Sequence, residues 1–192
     1  MTKTRLFAVA LGAALSLSLP ALAEVPTIEE VVAIFSGIEQ TAPEPVVRAW
    51  GPNAIATLTR LAEDPARPEF VRARATTALR VFAPSPAAHT ALLRLANASS
   101  PHPLVLRAAL TVLASDFADL SLAQRMLRAA SSETREGAVW ALSRSPLTAA
   151  REALLRGQVT ERDPAVRATY ELVLRSPTRG SVVAQPGPIR TR

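Results

Sequence analysis

Four stretches of this sequence align on an arginine. Residues 69–79, 104–113, 133–142 and 165–174 carry Arg72, Arg107, Arg135 and Arg167 at the same place. These arginines lie 35, 28 and 32 residues apart, a spacing that belongs to repeat architectures. One residue before each arginine, and three, six and seven after it, the chain is mostly apolar, which is one face of a helix. Other amphipathic stretches alternate with these, at 54–62, 87–98, 122–130 and 147–155. The unit is therefore helix, turn, helix. A single pair of this kind cannot bury its apolar face alone, so neighbouring pairs must stack and share one core.

The punctuation agrees with paired helices. Ser85-Pro86, Ser145-Pro146 and Asp163-Pro164 set a capping oxygen before a proline at a helix start. Pro68 and Pro103 open two of the arginine-bearing helices, and Ser121-x-x-Gln124 has the form of a capping box. Gly51-Pro52 breaks the pattern and predicts a turn. With 16 prolines and 7 glycines, the chain suits short helices better than a glycine-turned sheet. Hydrophobic residues make up 48% but aromatics only 4%, so Ala, Leu and Val must build the core.

The run Gly51-Pro52-Asn53-Ala54-Ile55-Ala56-Thr57-Leu58-Thr59-Arg60-Leu61-Ala62-Glu63-Asp64-Pro65, with Val71-Arg72, Ala75, Ala78 and Leu79 after it, resembles one unit of the HEAT-repeat family. Asp163-Pro164-Ala165-Val166-Arg167 repeats its turn and arginine, and the resemblance covers roughly residues 51–174. The second and third units depart from the family pattern. They carry Ser100-Pro101-His102-Pro103 and Ser131-Ser132-Glu133 in place of Asp-Pro. The resemblance implies an all-α fold, an α-solenoid of about four HEAT-like helix pairs. It also implies that the arginines tie repeats together through acidic groups, with Arg72 on Asp64 or Glu69 and Arg167 on Asp163. Residues 27–40 predict an N-terminal capping helix, begun by the Thr27-x-x-Glu30 capping box, with Ile28, Val31, Val32, Phe35 and Ile38 facing the first repeat.

Four regions follow. Residues 1–23 read as a signal peptide: Lys3 and Arg5, an apolar run over residues 7–19, then Ala21-Leu22-Ala23. Export to the periplasm or beyond is the expectation, with no membrane span once the signal is cleaved. Residues 24–50 form the cap, 51–175 the repeats, and 176–192 a disordered basic tail. The formal net charge is +6, but Lys3, Arg5 and the tail arginines Arg179, Arg190 and Arg192 account for most of it. A near-neutral body disfavours phosphate tracking and hence a nucleic-acid partner. Residues 24–47 are acidic without one basic side chain, which is a solvated face or a docking surface for a basic partner.

The sequence offers little chemistry. Without cysteine there is no disulfide, thiol nucleophile or thiolate metal site. His89 and His102 have no partner at metal-ligand spacing, and there is no phosphate-cradling glycine loop. No catalytic residue, metal or cofactor is expected. On a wheel of 100° per residue, the fifth position after each arginine faces away from the core. It holds Thr77, Val112, Trp140 and Leu172, and the flank at the ninth position offers Asp116 and Arg144. In a solenoid this row faces the concave side and predicts a groove for a protein or peptide partner, anchored by Trp140. The expected function is a non-catalytic adaptor or scaffold of the cell envelope. One alternative is an enzyme or chromophore-handling protein similar to the phycobilin-lyase branch of HEAT-like proteins, with Asp116 and Glu136 as the groove-side carboxylates. Another is a nucleic-acid binder resembling HEAT-like DNA glycosylases.

Overall fold

A computed structural model describes residues 25–37 and 43–175. The signal-peptide and tail expectations, at 1–23 and 176–192, lie outside the described residues. Among the described residues ten α-helices run in chain order: α1 Ile28–Phe35, α2 Glu44–Ala49, α3 Ala54–Glu63, α4 Glu69–Ala78, α5 Pro86–Ala96, α6 Pro103–Asp116, α7 Ser121–Met126, α8 Ser132–Arg144, α9 Thr148–Thr160 and α10 Pro164–Arg175. A tight 3-10 turn, Leu79–Phe82, continues α4. There are no strands among the described residues.

The helices from α3 onward form four consecutive pairs, which makes the molecule an all-α solenoid. Its second helices stack in order, α4 on α6 on α8 on α10. Alanines at the crossings allow this: Ala75, Ala109 and Ala138 are all wholly buried. The Cβ and Cγ of Arg107 in α6 pass so close to Gly137 in α8 that an added methyl there would sit at 3.7–3.8 Å. The expected core face is dry. Val71, Leu106 and Val166, each before its arginine, are 0%, 6% and 1% exposed. One continuous core runs from Val31 to Val173.

The cap differs from the single helix expected over 27–40. The capping box forms, with the Glu30 N–H donating to Thr27 Oγ1 at 3.3 Å and the Thr27 N–H to Glu30 Oε2 at 2.8 Å. However, α1 ends at Phe35, and its last carbonyls are taken by another helix: Arg74 in α4 donates to Phe35 O at 2.6 Å and Gly37 O at 2.5 Å. This external cap satisfies carbonyls that a continuing helix would have bonded internally. The short α2 follows, and Gly51, at φ +70°, turns the chain into α3.

Pro86, Pro103 and Pro164 begin their helices and Pro68 sits just before one, but Pro146 lies two residues ahead of α9, and the capping oxygens are partly others. Ser121 is the first residue of α7 rather than a cap; Asp119 accepts its N–H at 3.0 Å. Ser85 makes no side-chain capping bond. Asp163 does cap, accepting from Ala165 at 2.9 Å and Val166 at 3.3 Å.

Candidate docking groove

Each arginine sits near the start of a second helix, and the first helix of its own pair ends just before it in the chain. Helix C-termini leave carbonyls unpaired and carry partial negative charge. Arg72 goes there, while Arg135 and Arg167 take carbonyls of the turn just beyond. Arg72 donates to Ala62 O at 3.0 Å, Arg135 to Ala129 O and Ala130 O at 2.9 Å each, and Arg167 to Arg162 O at 3.3 Å. No direct ion pair joins Arg72 to Asp64 or Glu69, or Arg167 to Asp163, among the described residues, although the Arg72 charge does help lower the Asp64 carboxyl. Asp64 is occupied by its own turn, accepting the Ala66 N–H at 2.9 Å and the Arg67 Nε–H at 3.2 Å. Those contacts, the Ala66 N–H first, hold its carboxyl below the usual range. Arg107 has no side-chain bond among the described residues and packs its stem on Gly137.

Arg135 does more than its counterparts. Its Nε and second terminal nitrogen grip both oxygens of Glu161, at 2.8 and 3.1 Å, and so tie α8 to the turn after α9. The Glu161 side chain is only 5% exposed and also accepts the N–H groups of Arg162 and Asp163, each at 2.9 Å. The hydrogen bond from Arg135 holds the Glu161 carboxyl below its ordinary value and raises the arginine's own.

The row predicted for the groove divides. Trp140 and Leu172 line one pocket of about 580 Å³, together with Arg144. Leu172 is 55% exposed and Trp140 half-buried. Val112 does not reach this surface: it is 2% exposed, on a helix that is stacked between α4 and α8. Thr77 lies outside the pocket lining, and its hydroxyl donates to Ala73 O at 2.9 Å within α4. Asp116 is turned to Arg80, which donates to it at 3.0 and 3.2 Å, and it also takes the Ser115 hydroxyl. Glu136 is held beneath the indole: Trp140 Nε1–H donates to it at 3.3 Å and the Thr169 hydroxyl at 3.5 Å.

Arg80 and Arg151 complete the wall, and the wheel of the second helices missed both. Arg80 lies on the turn after α4, where the helical register tightens. Arg151 belongs to α9, a first helix, and reaches the pocket because α9 and α10 pack together; it donates to Leu174 O at 3.4 Å. The local signal was the polar run Ser143-Arg144-Ser145-Pro146 closing α8, all four of which line the pocket.

Both histidines are bonded, His102 locally and His89 across the fold. His89 Nε2 meets Asp119 Oδ2 at 2.9 Å across a separation of thirty residues, with the Phe117 ring 5.3 Å away. Ser121 donates its hydroxyl to the other Asp119 oxygen at 2.6 Å, so the serine is bonded to the carboxylate rather than to the imidazole that would have to take its proton. The arrangement fastens α5 to the loop before α7, and the Ser121 hydroxyl is the main reason that the Asp119 carboxyl lies below its usual range. His102 caps α6, its Nδ1 accepting the Leu104 N–H at 3.4 Å. Among the described residues no three His, Asp or Glu side chains converge as metal ligands.

No family model matches this sequence, and comparison with curated proteins finds no match. Among solved structures the chain is similar to one from the complex of CpcE and CpcF of phycocyanin lyase from Nostoc sp. PCC7120. The TM-score is 0.51 at 20% identity, over 76% of this chain and 96% of that one. At that identity the likeness is one of fold, a HEAT-like array of paired helices.

Proposed function

We propose that this chain acts by binding rather than by conversion. In this reading it is an exported adaptor or scaffold of the cell envelope that holds a protein partner against Trp140. The observation that carries the reading is that Trp140 and Leu172, from successive units, meet in the wall of one open pocket. A half-exposed indole flanked by an arginine is the composition of an interface anchor. The two nearby carboxylates serve as braces, Asp116 for Arg80 and Glu136 for Trp140 and Thr169. Export rests on the pattern of residues 1–23. No helix among the described residues is long and apolar enough to cross a membrane. Crosslinking in the native envelope fraction tests the adaptor role. Trp140→Ala is expected to lose a partner that the parent chain retains, and equal recovery of every partner from both would dismiss it.

A second reading is favoured by the pocket's size and by the fold of its structural neighbour. About 580 Å³ lies within the span of small-molecule sites, and the neighbour belongs to a complex of phycocyanin lyase. Handling of a chromophore in the same pocket would follow. Mixing the purified chain with phycocyanin decides it: a change in visible absorption that Trp140→Ala abolishes supports chromophore handling, and an unchanged spectrum removes it.

A further inference from the structure

Three guanidinium groups, those of Arg80, Arg144 and Arg151, line the pocket at Trp140, and no carboxylate is among its lining residues. That is a local departure, since residues 24–175 as a whole are close to neutral. The three differ in how they are held. Arg80 is braced by Asp116 and Arg151 by the Leu174 carbonyl. Arg144, exposed at the end of α8, has no side-chain hydrogen bond or ion pair among the described residues. The lining hydroxyls are held locally: Thr111 donates to Arg107 O and Ser143 to Trp140 O, each at 2.8 Å, Ser115 is shared between Thr111 O and Asp116, and Ser145 Oγ accepts the Leu147 N–H at 3.3 Å. The charged groups that face an incoming ligand are cationic forks beside an indole, over a floor of Leu142, Leu154 and Val173. Arginine forks of this kind match carboxylates.

We propose that this pocket receives an acidic segment of a partner protein, a stretch in which carboxylate side chains alternate with apolar ones. The inference deepens the adaptor reading and rests on it. Alternation is what the walls require. An apolar side chain reaches the Leu142–Val173 floor and the indole, while its neighbours turn their carboxylates to Arg144 and Arg151. A peptide fits better than a compact acid because the lining comes from the turn after α4 and from α6, α8, α9 and α10, so that the trough runs across successive units.

The test uses the full chain carrying Trp50→Phe, which leaves Trp140 as its one indole. An eight-residue peptide of alternating Leu and Glu is titrated against Trp140 emission at low and at physiological salt. The same is done with its Leu and Gln counterpart, with octanoate, and with a single-stranded oligonucleotide. A saturable emission change is expected with the Glu peptide alone, weakened about tenfold by the added salt and about tenfold again by Arg144→Ser. Arg144 is exposed and unbonded, so that variant should keep the parent's circular dichroism and unfolding midpoint. Should Trp50→Phe disturb the fold, calorimetry on the unaltered chain replaces the emission readout. Equal binding of the Gln peptide, tighter binding of octanoate or the oligonucleotide, or no response to any probe would overturn the proposal. The two readings fail separately. A native partner lost with Trp140→Ala but retained by Arg144→Ser and not displaced by the Glu peptide leaves the adaptor standing and removes the acidic segment.

Discussion

The missing side chain at position 157 lets α9 lie directly against Tyr170. A Cβ there would come within 2.3 Å of the tyrosine hydroxyl and 3.0 Å of the ring carbon bearing it. Tyr170 is 1% exposed, and that burial pushes its hydroxyl's pKa up to about 12, so the ring stays neutral and has little room to retreat. Helix propensity alone would favour alanine by about 1 kcal/mol. The overlap outweighs it, and Gly157→Ala is expected to destabilise by about 1–3 kcal/mol in urea unfolding. A more stable variant would mean that the tyrosine swings clear. Glu161 gives a second prediction. Its folded-state pKa is depressed, so the stability it contributes is present above the unfolded value of about 4.3 and is lost as pH falls through the lower folded value. The parent chain should therefore outlast Glu161→Gln near neutral pH, and the two melting curves should converge in acid. A gap that stays constant down to pH ~2 would assign the contact to shape rather than charge. At this scale the sequence was legible in position but not in partner. The arginines recur where one core face demands them, yet what each one grips depends on how closely the preceding helix end passes. That distance is set by packing, which periodicity does not carry.

The elements were legible where two signals agreed. Apolar period and proline placement together located three of the four pairs, and α3 runs from Ala54 to Glu63 against an expected 54–62. Where only one signal was present, the ends moved. α9 runs on to Thr160 past Gly157, a residue whose usual meaning is a stop and whose use here is to admit Tyr170. α7 closes early at Met126, where the bonds tighten to Arg128 N–H on Arg125 O and Ala129 N–H on Met126 O, and Arg135 holds the Ala129 and Ala130 carbonyls of the turn that follows. The cap shows how far such an element belongs to the array. α1 buries Val31 and Phe35, packs Phe35 on Trp50 with ring centroids 6.3 Å apart, and is joined to the first pair through Arg74 and through an Arg67–Glu29 contact at 3.4 Å. Phe35→Ala should then cost about 3–5 kcal/mol and leave a single unfolding transition. An early, separate transition with the main one unmoved would show that the cap is only docked.

A stacked array gives each unit two neighbours except at its ends, and equivalent side chains record the difference. Val112 and Leu172 occupy the same place after their arginines. The first is 2% exposed on α6, which has α4 on one side and α8 on the other; the second is 55% exposed on α10, the last of the described helices. The wheel treats them alike, because a helix viewed alone has no information about what stacks on it. That is why the groove was half legible: Trp140 and Leu172 could be read from one helix, while Arg80 and Arg151 needed the assembled array. The same asymmetry governs stability, which in such molecules is close to a sum of unit and interface contributions. Leu110 in α6 is wholly buried at the centre, and Val166 in α10 is 1% exposed near one end. Leu110→Ala should cost about 2–5 kcal/mol and speed amide exchange through both flanking pairs, since α6 joins α4 to α8. Val166→Ala should speed exchange in α9 and α10 and leave α3 to α6 as protected as before. If both variants raised exchange uniformly along the chain, the array would be opening as one cooperative block. Leu172 and Trp140 would then share a single rigid frame, and a partner seated between them would stabilise α3 as much as α10.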